Sequence, residues 1–306
     1  MGAMWQPDPA WRALGRAAGP TTAGIWRARV EGTDVVVKRL RRPLPDEESF
    51  LSDRTHAAYW RREAEVALDP GVVDGPGLVP ARVLRLEEDD EGCTLMTEEV
   101  VAEPPPALFV ARALGRFAAG PYADVPWAAR RTLVDRLALA EARGGWPTLA
   151  RTTIADTAAF LWSSRRQWLA AAAAAPAGRL HGDAVPGNVV ASRGEDAVAI
   201  DWQGFGIGPV GTDLGYYALS VREDFEVLLS TYLDGVVSSS GAVDADAVRT
   251  AAVVMCVYTA FTRAEWALSR IAPGEGALAG KFNHPSVAPH LRALQRQAPQ
   301  VESLLR

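Results

Sequence analysis

The sequence predicts an α+β protein of two lobes, a small β-rich one followed by a larger, mainly helical one. Three observations lead there. β-branched runs and tight-turn signals are concentrated before residue 100, Pro104-Pro105-Pro106 closes that stretch, and long break-free segments rich in Ala and Leu dominate the remainder of the chain,. We expect lobes at residues 1–100 and 104–306 with a connecting segment near 97–103, and 306 residues are ample for two such units,.

The elements are justified in chain order. A short strand is expected near Trp11 to Ala17. Ile25 to Val30 and Val35 to Leu40 read as a hairpin around Glu31-Gly32-Thr33-Asp34, whose composition favours a tight turn,. Asp46 to Leu68 reads as one helix closed by Asp69-Pro70-Gly71,. Further strands are expected at Ala81 to Leu86 and Cys93 to Val100. In the second lobe, helices are expected at Ala107 to Ala118, Trp127 to Ala142, Thr153 to Ala175, Thr212 to Val221, Phe225 to Val236 and Ala245 to Ile271. One strand-like patch interrupts them, Asn188 to Ala191 and Ala197 to Trp202, around the turn Ser192 to Asp196. The alanine run Ala170 to Ala175 suits helix, since alanine has the best helix propensity.

Of the 32 basic residues, only Lys38 and Lys281 are lysines, so the positive charge is almost wholly guanidinium. The net charge of −5 argues against non-specific affinity for nucleic acid or an anionic membrane and leads us to expect a neutral or cationic small-molecule partner,. Cys93 and Cys256 are far apart and show no metal-ligand spacing, which points away from a disulfide framework or a zinc site and toward the cytoplasm,. No continuous apolar run suggests a membrane span, and residues 1–5 lack the basic and apolar regions of a secretory signal,.

The most informative stretch is Leu180-His181-Gly182-Asp183-Ala184-Val185-Pro186-Gly187-Asn188, followed by Ile200-Asp201-Trp202. Asp183, Asn188 five residues on and Asp201 at the end of a short hairpin are able to converge, because the loop wraps while the hairpin returns beside it. Such oxygen donors suit Mg²⁺ together with substrate phosphates. His-x-Asp-x-x-x-x-Asn with Ile-Asp-Trp thirteen residues later resembles the catalytic segment of the aminoglycoside phosphotransferases and related small-molecule kinases of the protein-kinase-like fold. That resemblance implies a bilobal kinase-like fold, Asp183 as catalytic base, His181 as a loop-positioning residue, Asn188 and Asp201 as Mg²⁺ ligands, and ATP or GTP as phosphate donor. It also implies that Asp213, in Gly211-Thr212-Asp213, braces the catalytic loop.

Upstream, Val35-Val36-Val37-Lys38 resembles the kinase strand whose lysine reaches the donor phosphates, and a compact ammonium differs there from a planar guanidinium,. Glu63 occupies the place of the helix glutamate that pairs with that lysine, with Glu65 as the competing choice, to be decided by helix phase. Thr21 and Thr22, in Gly19-Pro20-Thr21-Thr22-Ala23-Gly24, are the candidates for the loop covering the nucleotide, although the segment departs from G-x-G-x-x-G. Leu95 to Val100 resembles the inter-lobe hinge, where backbone groups from Glu98 to Val100 would meet the purine edge. Gly206-Ile207-Gly208-Pro209-Val210-Gly211 also fits a dinucleotide fingerprint locally, but the helical pattern after it leaves no second parallel strand,. Gly280-Lys281 lacks the flanking residues of a P-loop.

Eleven residues separate Asp201 from Asp213, too few for a long activation segment, which favours a small acceptor bearing a hydroxyl. In the related kinases the acceptor lies between the catalytic loop and the C-terminal helices. There Tyr217, Asp224, Glu265 and Trp266 are candidate acceptor contacts, aromatic and acidic groups suited to a sugar-like or cationic ligand. Acid and base are nearly balanced after Gly204, short of the dense acidity a polycationic aminoglycoside would call for. The expected activity is Mg²⁺-dependent phosphate transfer to an antibiotic or sugar, as a monomer or homodimer, with antibiotic resistance as one setting. The alternatives are a kinase of choline, homoserine or an amino sugar, and a non-catalytic binding module.

Overall fold

The computed structural model describes residues 5–15, 19, 21–271 and 281–306. Strands β1 (Arg12–Ala13), β2 (Thr22–Val30), β3 (Thr33–Arg41), β5 (Val83–Asp89) and β6 (Gly92–Glu98) form an antiparallel sheet in the order β1-β2-β3-β6-β5. Alternation along β3 sends Val35 and Val37 to one face, where they pack with Ala28 and Met96,. Val36 and Lys38 therefore face the other way, into a cleft. Of the expected first strand, Arg12 and Ala13 form β1, while residues 16 and 17 lie outside the described residues.

The expected helix over Asp46 to Leu68 forms only at its end, as α1 (Arg62–Leu68); upstream there is a single 3-10 turn, Ser49–Ser52, and otherwise irregular chain. Two physical causes are visible. The Asp53 carboxylate accepts from the Thr55 backbone N–H and hydroxyl, both at 2.9 Å, a local bond that competes with helix,. The guanidinium of Arg62, fully buried, collects the carbonyls of Arg54, His56 and Ala57 from the same segment and those of Trp127 and Gln203 from far away. A carbonyl turned toward Arg62 is not turned along a helix axis.

The chain between α1 and β5 joins the second lobe. Strand β4 (Leu78–Pro80) pairs in parallel with β9 (Asp196–Ala199), which pairs antiparallel with β8 (Val189–Arg193). Two further strands, β7 (Ala177–Leu180) and β10 (Gly206–Pro209), pair antiparallel with each other. Around them pack α2 (Ala107–Ala119), α3 (Thr132–Ala142), α4 (Ala155–Ala172), α5 (Thr212–Tyr217), α6 (Phe225–Ser240) and α7 (Ala245–Ile271), followed by α8 (Ala288–Arg296) and α9 (Ala298–Ser303). Helix α7 matches its expected bounds and forms the spine of the main apolar core. Among the described residues it alone is long and apolar enough to cross a membrane, but 67% of its most apolar window is buried within the protein, as in a core helix.

Because Arg62 satisfies five carbonyls at once, its loss leaves polar groups buried and unpaired. Arg62→Met is expected to lower unfolding free energy by about 3 kcal/mol or more, read by chemical denaturation.

Candidate active site

Three elements converge on the cleft. From β3, the Lys38 ammonium lies 2.5 Å from Glu63 Oε2 of α1 and 2.6 Å from Asp201 Oδ1, which follows β9. Helix phase decides between the two glutamates. Glu63 turns inward to Lys38, whereas Glu65 turns away and pairs with Arg61 at 2.6 Å. Burial opposes the charge on Lys38, but Glu63 and then Asp201 outweigh it and hold the ammonium protonated, with its pKa raised,. Burial likewise pushes the Glu63 carboxyl up, against the pull of Lys38.

Asp201 sits in the left-handed region at φ 61°, an uncommon conformation for a non-glycine residue, and a 3-10 turn (Trp202–Gly204) comes directly after it,. The chain thus reverses at the end of β9, leaving the Asp201 carboxylate at the cleft. The β8–β9 hairpin brings this turn beside Asn188, whose carbonyl accepts from the Ile200 N–H at 3.0 Å.

The loop after β7 carries Asp183. Its Oδ1 accepts from the Tyr216 hydroxyl at 2.6 Å, and its Oδ2 from Asn188 Nδ2 at 3.1 Å. With its amide nitrogen engaged on Asp183, Asn188 is left with Oδ1 as an acceptor. His181 Nε2 lies 2.9 Å from the Ile200 carbonyl, and Nδ1 accepts from the Asp183 N–H at 3.3 Å; together these contacts select the Nε2–H tautomer. The ring also packs on Trp202 with centroids 4.7 Å apart, so His181 links the loop to the Asp201 turn.

Asp213, buried on α5, accepts from the backbone N–H groups of His181 at 2.6 Å and Gly182 at 3.0 Å. Burial pushes its carboxyl up, opposed by His181 and these N–H donors. Gly182 has φ 78°, and a β-carbon there would lie 1.9 Å from the Gly204 carbonyl oxygen, so the loop requires glycine at this point,.

The cleft, of about 280 Å³, has Lys38, Glu63, Asn188 and Asp201 at one end and Thr97 to Val100 in its wall. Apolar walls from Ile25, Val36, Val190 and Ile200 close over it. The Glu98 and Glu99 side chains are tied to Arg82 and Arg27, and their backbone N–H groups donate to the Arg82 and Asp34 carbonyls at 2.9 and 3.0 Å. Thr21 and Thr22 are buried but do not line the cleft. The Thr21 hydroxyl accepts from Gln203 at 2.9 Å, and Pro20 lies outside the described residues.

The four expected acceptor contacts do not come together. Glu265 is buried, its carboxylate accepting from the N–H groups of Thr148 and Leu149 at 3.1 and 2.9 Å. Asp224 caps α6 through the Glu226 N–H. Tyr217 is in the core, and Trp266 is exposed, with its ring edge-on to His290. Two contributors escaped the sequence-based expectations. Arg62 is one; the other is Arg136, which donates to the Gly182 carbonyl at 2.7 Å and lies over the Tyr216 ring at 4.5 Å. Arg136 falls on an amphipathic helix, where nothing distinguishes it from a solvated arginine. Gly206 and Gly208 belong to an antiparallel pair, so the parallel unit needed for dinucleotide binding is absent there.

Among the described residues no three His, Cys, Asp or Glu side chains cluster as a metal site. Asn188 Oδ1 and the Asp201 carboxylate at the cleft end are nonetheless hard oxygen donors, the sparse protein set that Mg²⁺ uses when phosphates supply other ligands. The residues present fit that ion.

Asp213→Asn places one amide NH₂ where two N–H donors now meet carboxylate oxygens. A stability loss of about 2 kcal/mol is expected, with faster amide hydrogen exchange at His181 and Gly182.

The phosphotransferase enzyme (APH) family model matches residues 26–241. No curated protein matches the chain. Among solved structures, an aminoglycoside phosphotransferase from Streptomyces rimosus, bound to ADP and streptomycin, is 20% identical at a TM-score of 0.51, covering 81% of this chain and 92% of its own. An aminoglycoside 2′-phosphotransferase-IIIa with GDP is 13% identical at a TM-score of 0.55, covering 96% and 93% respectively. A choline/ethanolamine kinase family protein from Mesorhizobium loti is 18% identical at a TM-score of 0.51, covering 93% and 92%. The shared fold is the bilobal protein-kinase-like one, and with most of its length matched by the family model, the chain belongs to the APH phosphotransferase enzyme family.

Proposed function

We propose that this enzyme transfers the γ-phosphate of ATP or GTP to a hydroxyl of a small molecule, with Asp183 as the general base. The observation that carries the reading is the meeting of Lys38, Glu63 and Asp201 at one end of the cleft, with Asn188 reaching from there to Asp183. Lys38, oriented by Glu63, binds the donor phosphates. Asn188 and Asp201 would hold Mg²⁺, which when bound neutralises charge on the triphosphate oxygens.

Asp183 takes the acceptor proton as the acceptor oxygen attacks phosphorus. The new O–P bond forms as the bond to the β–γ bridging oxygen breaks, giving nucleoside diphosphate and a phosphate monoester. The hydrogen bonds from Tyr216 and Asn188 fix the carboxylate's direction, and His181 holds the loop against the Asp201 turn. This is catalysis by positioning and charge. Backbone groups from Glu98 to Val100 receive the purine edge, while Thr21 and Thr22 lie off the cleft wall and take no phosphate contact in this reading. In this reading the lobes are residues 1–100, less the β4 segment that pairs with β9, and residues 104–306, hinged near 97–103. On the same reading the enzyme works in the cytoplasm as a monomer or homodimer, in resistance or in primary metabolism.

Nucleotide binding is read first, by thermal shift: ATP or GTP is expected to raise Tm more with Mg²⁺ than without, and no shift with either would leave a non-catalytic module. Asp183→Ala and Asp201→Ala are each expected to lower kcat by about 10²–10⁴-fold with the fold retained. Lys38→Arg keeps the charge but displaces the phosphates, for a loss on the order of 10²-fold in kcat. Near-full turnover by the Asp183 variant on an accepted substrate would refute the assigned base.

A further inference from the structure

The ring of Tyr216, whose hydroxyl holds Asp183, also lines a cavity of about 230 Å³ between α3, α5 and α7. Its charged lining residues are Arg136, Arg143 and Arg263; among the described residues no carboxylate lines it. Arg136 and Arg263 lie over the Tyr216 ring at 4.5 and 4.3 Å. Arg263 also lines an adjoining cavity of about 560 Å³ together with Arg222, Arg292, Arg296 and His290, again without a carboxylate. Six arginines thus border two cavities joined at Arg263, in a chain with 37 acidic against 32 basic residues.

These guanidiniums lack carboxylate partners among the described residues, although Arg136, Arg292 and Arg296 each donate to a backbone carbonyl. Among the described residues none of the six forms a salt bridge, although arginines elsewhere in the chain do so repeatedly. Nη1 of Arg136 is buried with no hydrogen-bond partner, a costly state for a charged donor,. Burial and then the charge of Arg263 push the His290 imidazole down, so the histidine is a neutral hydrogen-bonding group beside that arginine. Grouped guanidiniums without carboxylate partners, linked to Asp183 through Tyr216, suit a carboxylate or phosphate ester, which they bind in bidentate fashion, and repel an ammonium,.

We infer that the acceptor is an anionic alcohol, a small hydroxy compound whose carboxylate or phosphate group is held by Arg136, Arg143 and Arg263 while its hydroxyl meets Asp183. This deepens the phosphotransferase reading and rests on it. It reverses the expectation from net charge of a neutral or cationic partner and replaces the acidic contacts Asp224 and Glu265.

The test uses the full-length enzyme with ATP and Mg²⁺. Probes are gluconate and glycerate as carboxylates, glucose 6-phosphate and ribose 5-phosphate as phosphate esters, glucose and ribose as neutral controls, and kanamycin and choline as cations. Calorimetric binding of each probe and coupled ADP release are both measured. Binding of at least one anionic class is expected, at least tenfold tighter than its neutral counterpart, and the class that binds tells carboxylate from phosphate. Arg143→Glu and Arg263→Glu are expected to weaken that binding at least tenfold and to raise KM more than they lower kcat. Retained Mg²⁺-dependent stabilisation by nucleotide reports that these variants are folded.

Three results overturn the inference: no binding by either anionic class, preference for kanamycin or choline, or anion binding indifferent to both charge reversals. Failure of the phosphotransferase reading looks different. There, nucleotide with Mg²⁺ would not stabilise the wild-type protein at all.

Discussion

The Lys38 ammonium, lodged between Glu63 and Asp201, is the constraint around which the other elements of the site arrange themselves. A charge taken out of water costs several kcal/mol unless opposite charges meet it at close range, and here the two that do come from different parts of the chain. The sheet therefore has its polar centre satisfied only when α1 docks on one side and the turn after β9 arrives on the other. The neighbouring residue strengthens the coupling. Glu63 reaches the sheet, while Arg62 donates to the carbonyls of Gln203 and Trp127 in the second lobe. Successive residues on a helix point in different directions, so one turn of α1 grips both lobes at once. A shift of that helix disturbs the phosphate-binding lysine and the Asp201 turn together.

The parts of this arrangement legible in the sequence are those whose chemistry is local. Asp183, Asn188 and Asp201 are set by a loop and a hairpin: β8 and β9 bring Asn188 beside the Asp201 turn, and Asn188 donates to Asp183. Helix α7 was legible because its apolar content is continuous and no breaker interrupts it. The features that escaped depend on partners remote in the chain. The segment before α1 carries a helix-compatible composition, yet its carbonyls turn to the buried Arg62. Strand β4 exists by pairing with β9, more than a hundred residues on, and α8 and α9 were not foreseen. Asp224 and Glu265 show a further limit, since residue type reveals that an acid is present but not that it caps a helix or accepts backbone N–H groups.

The same limit explains why net charge and the proposed anionic acceptor need not agree. A total of −5 describes the far field, which is screened within about 10 Å at ordinary ionic strength, whereas a bound ligand feels the groups lining its pocket,. Most acids of this chain lie elsewhere, many of them engaged with arginines at the surface. The two cavities that share Arg263 are lined by arginine and, among the described residues, by no acid, so an overall acidic protein has a basic interior surface at this point.

Under the proposed reaction the two cationic residue types would fall on opposite sides of the transferred phosphate, for a common physical reason. Lys38 fits where two carboxylates approach a single nitrogen at 2.5 and 2.6 Å, a convergence suited to a compact ammonium and poorly matched by a planar fork,. The acceptor side has the opposite need. An anionic alcohol approaching a triphosphate meets like charge, and the repulsion is offset where several guanidiniums surround the anion and fix its orientation. Tyr216 joins the two requirements, because the ring against which Arg136 and Arg263 lie ends in the hydroxyl that aims Asp183. In the proposed reaction, recognition of the acceptor's charge and alignment of the group that takes its proton would therefore be set by one side chain.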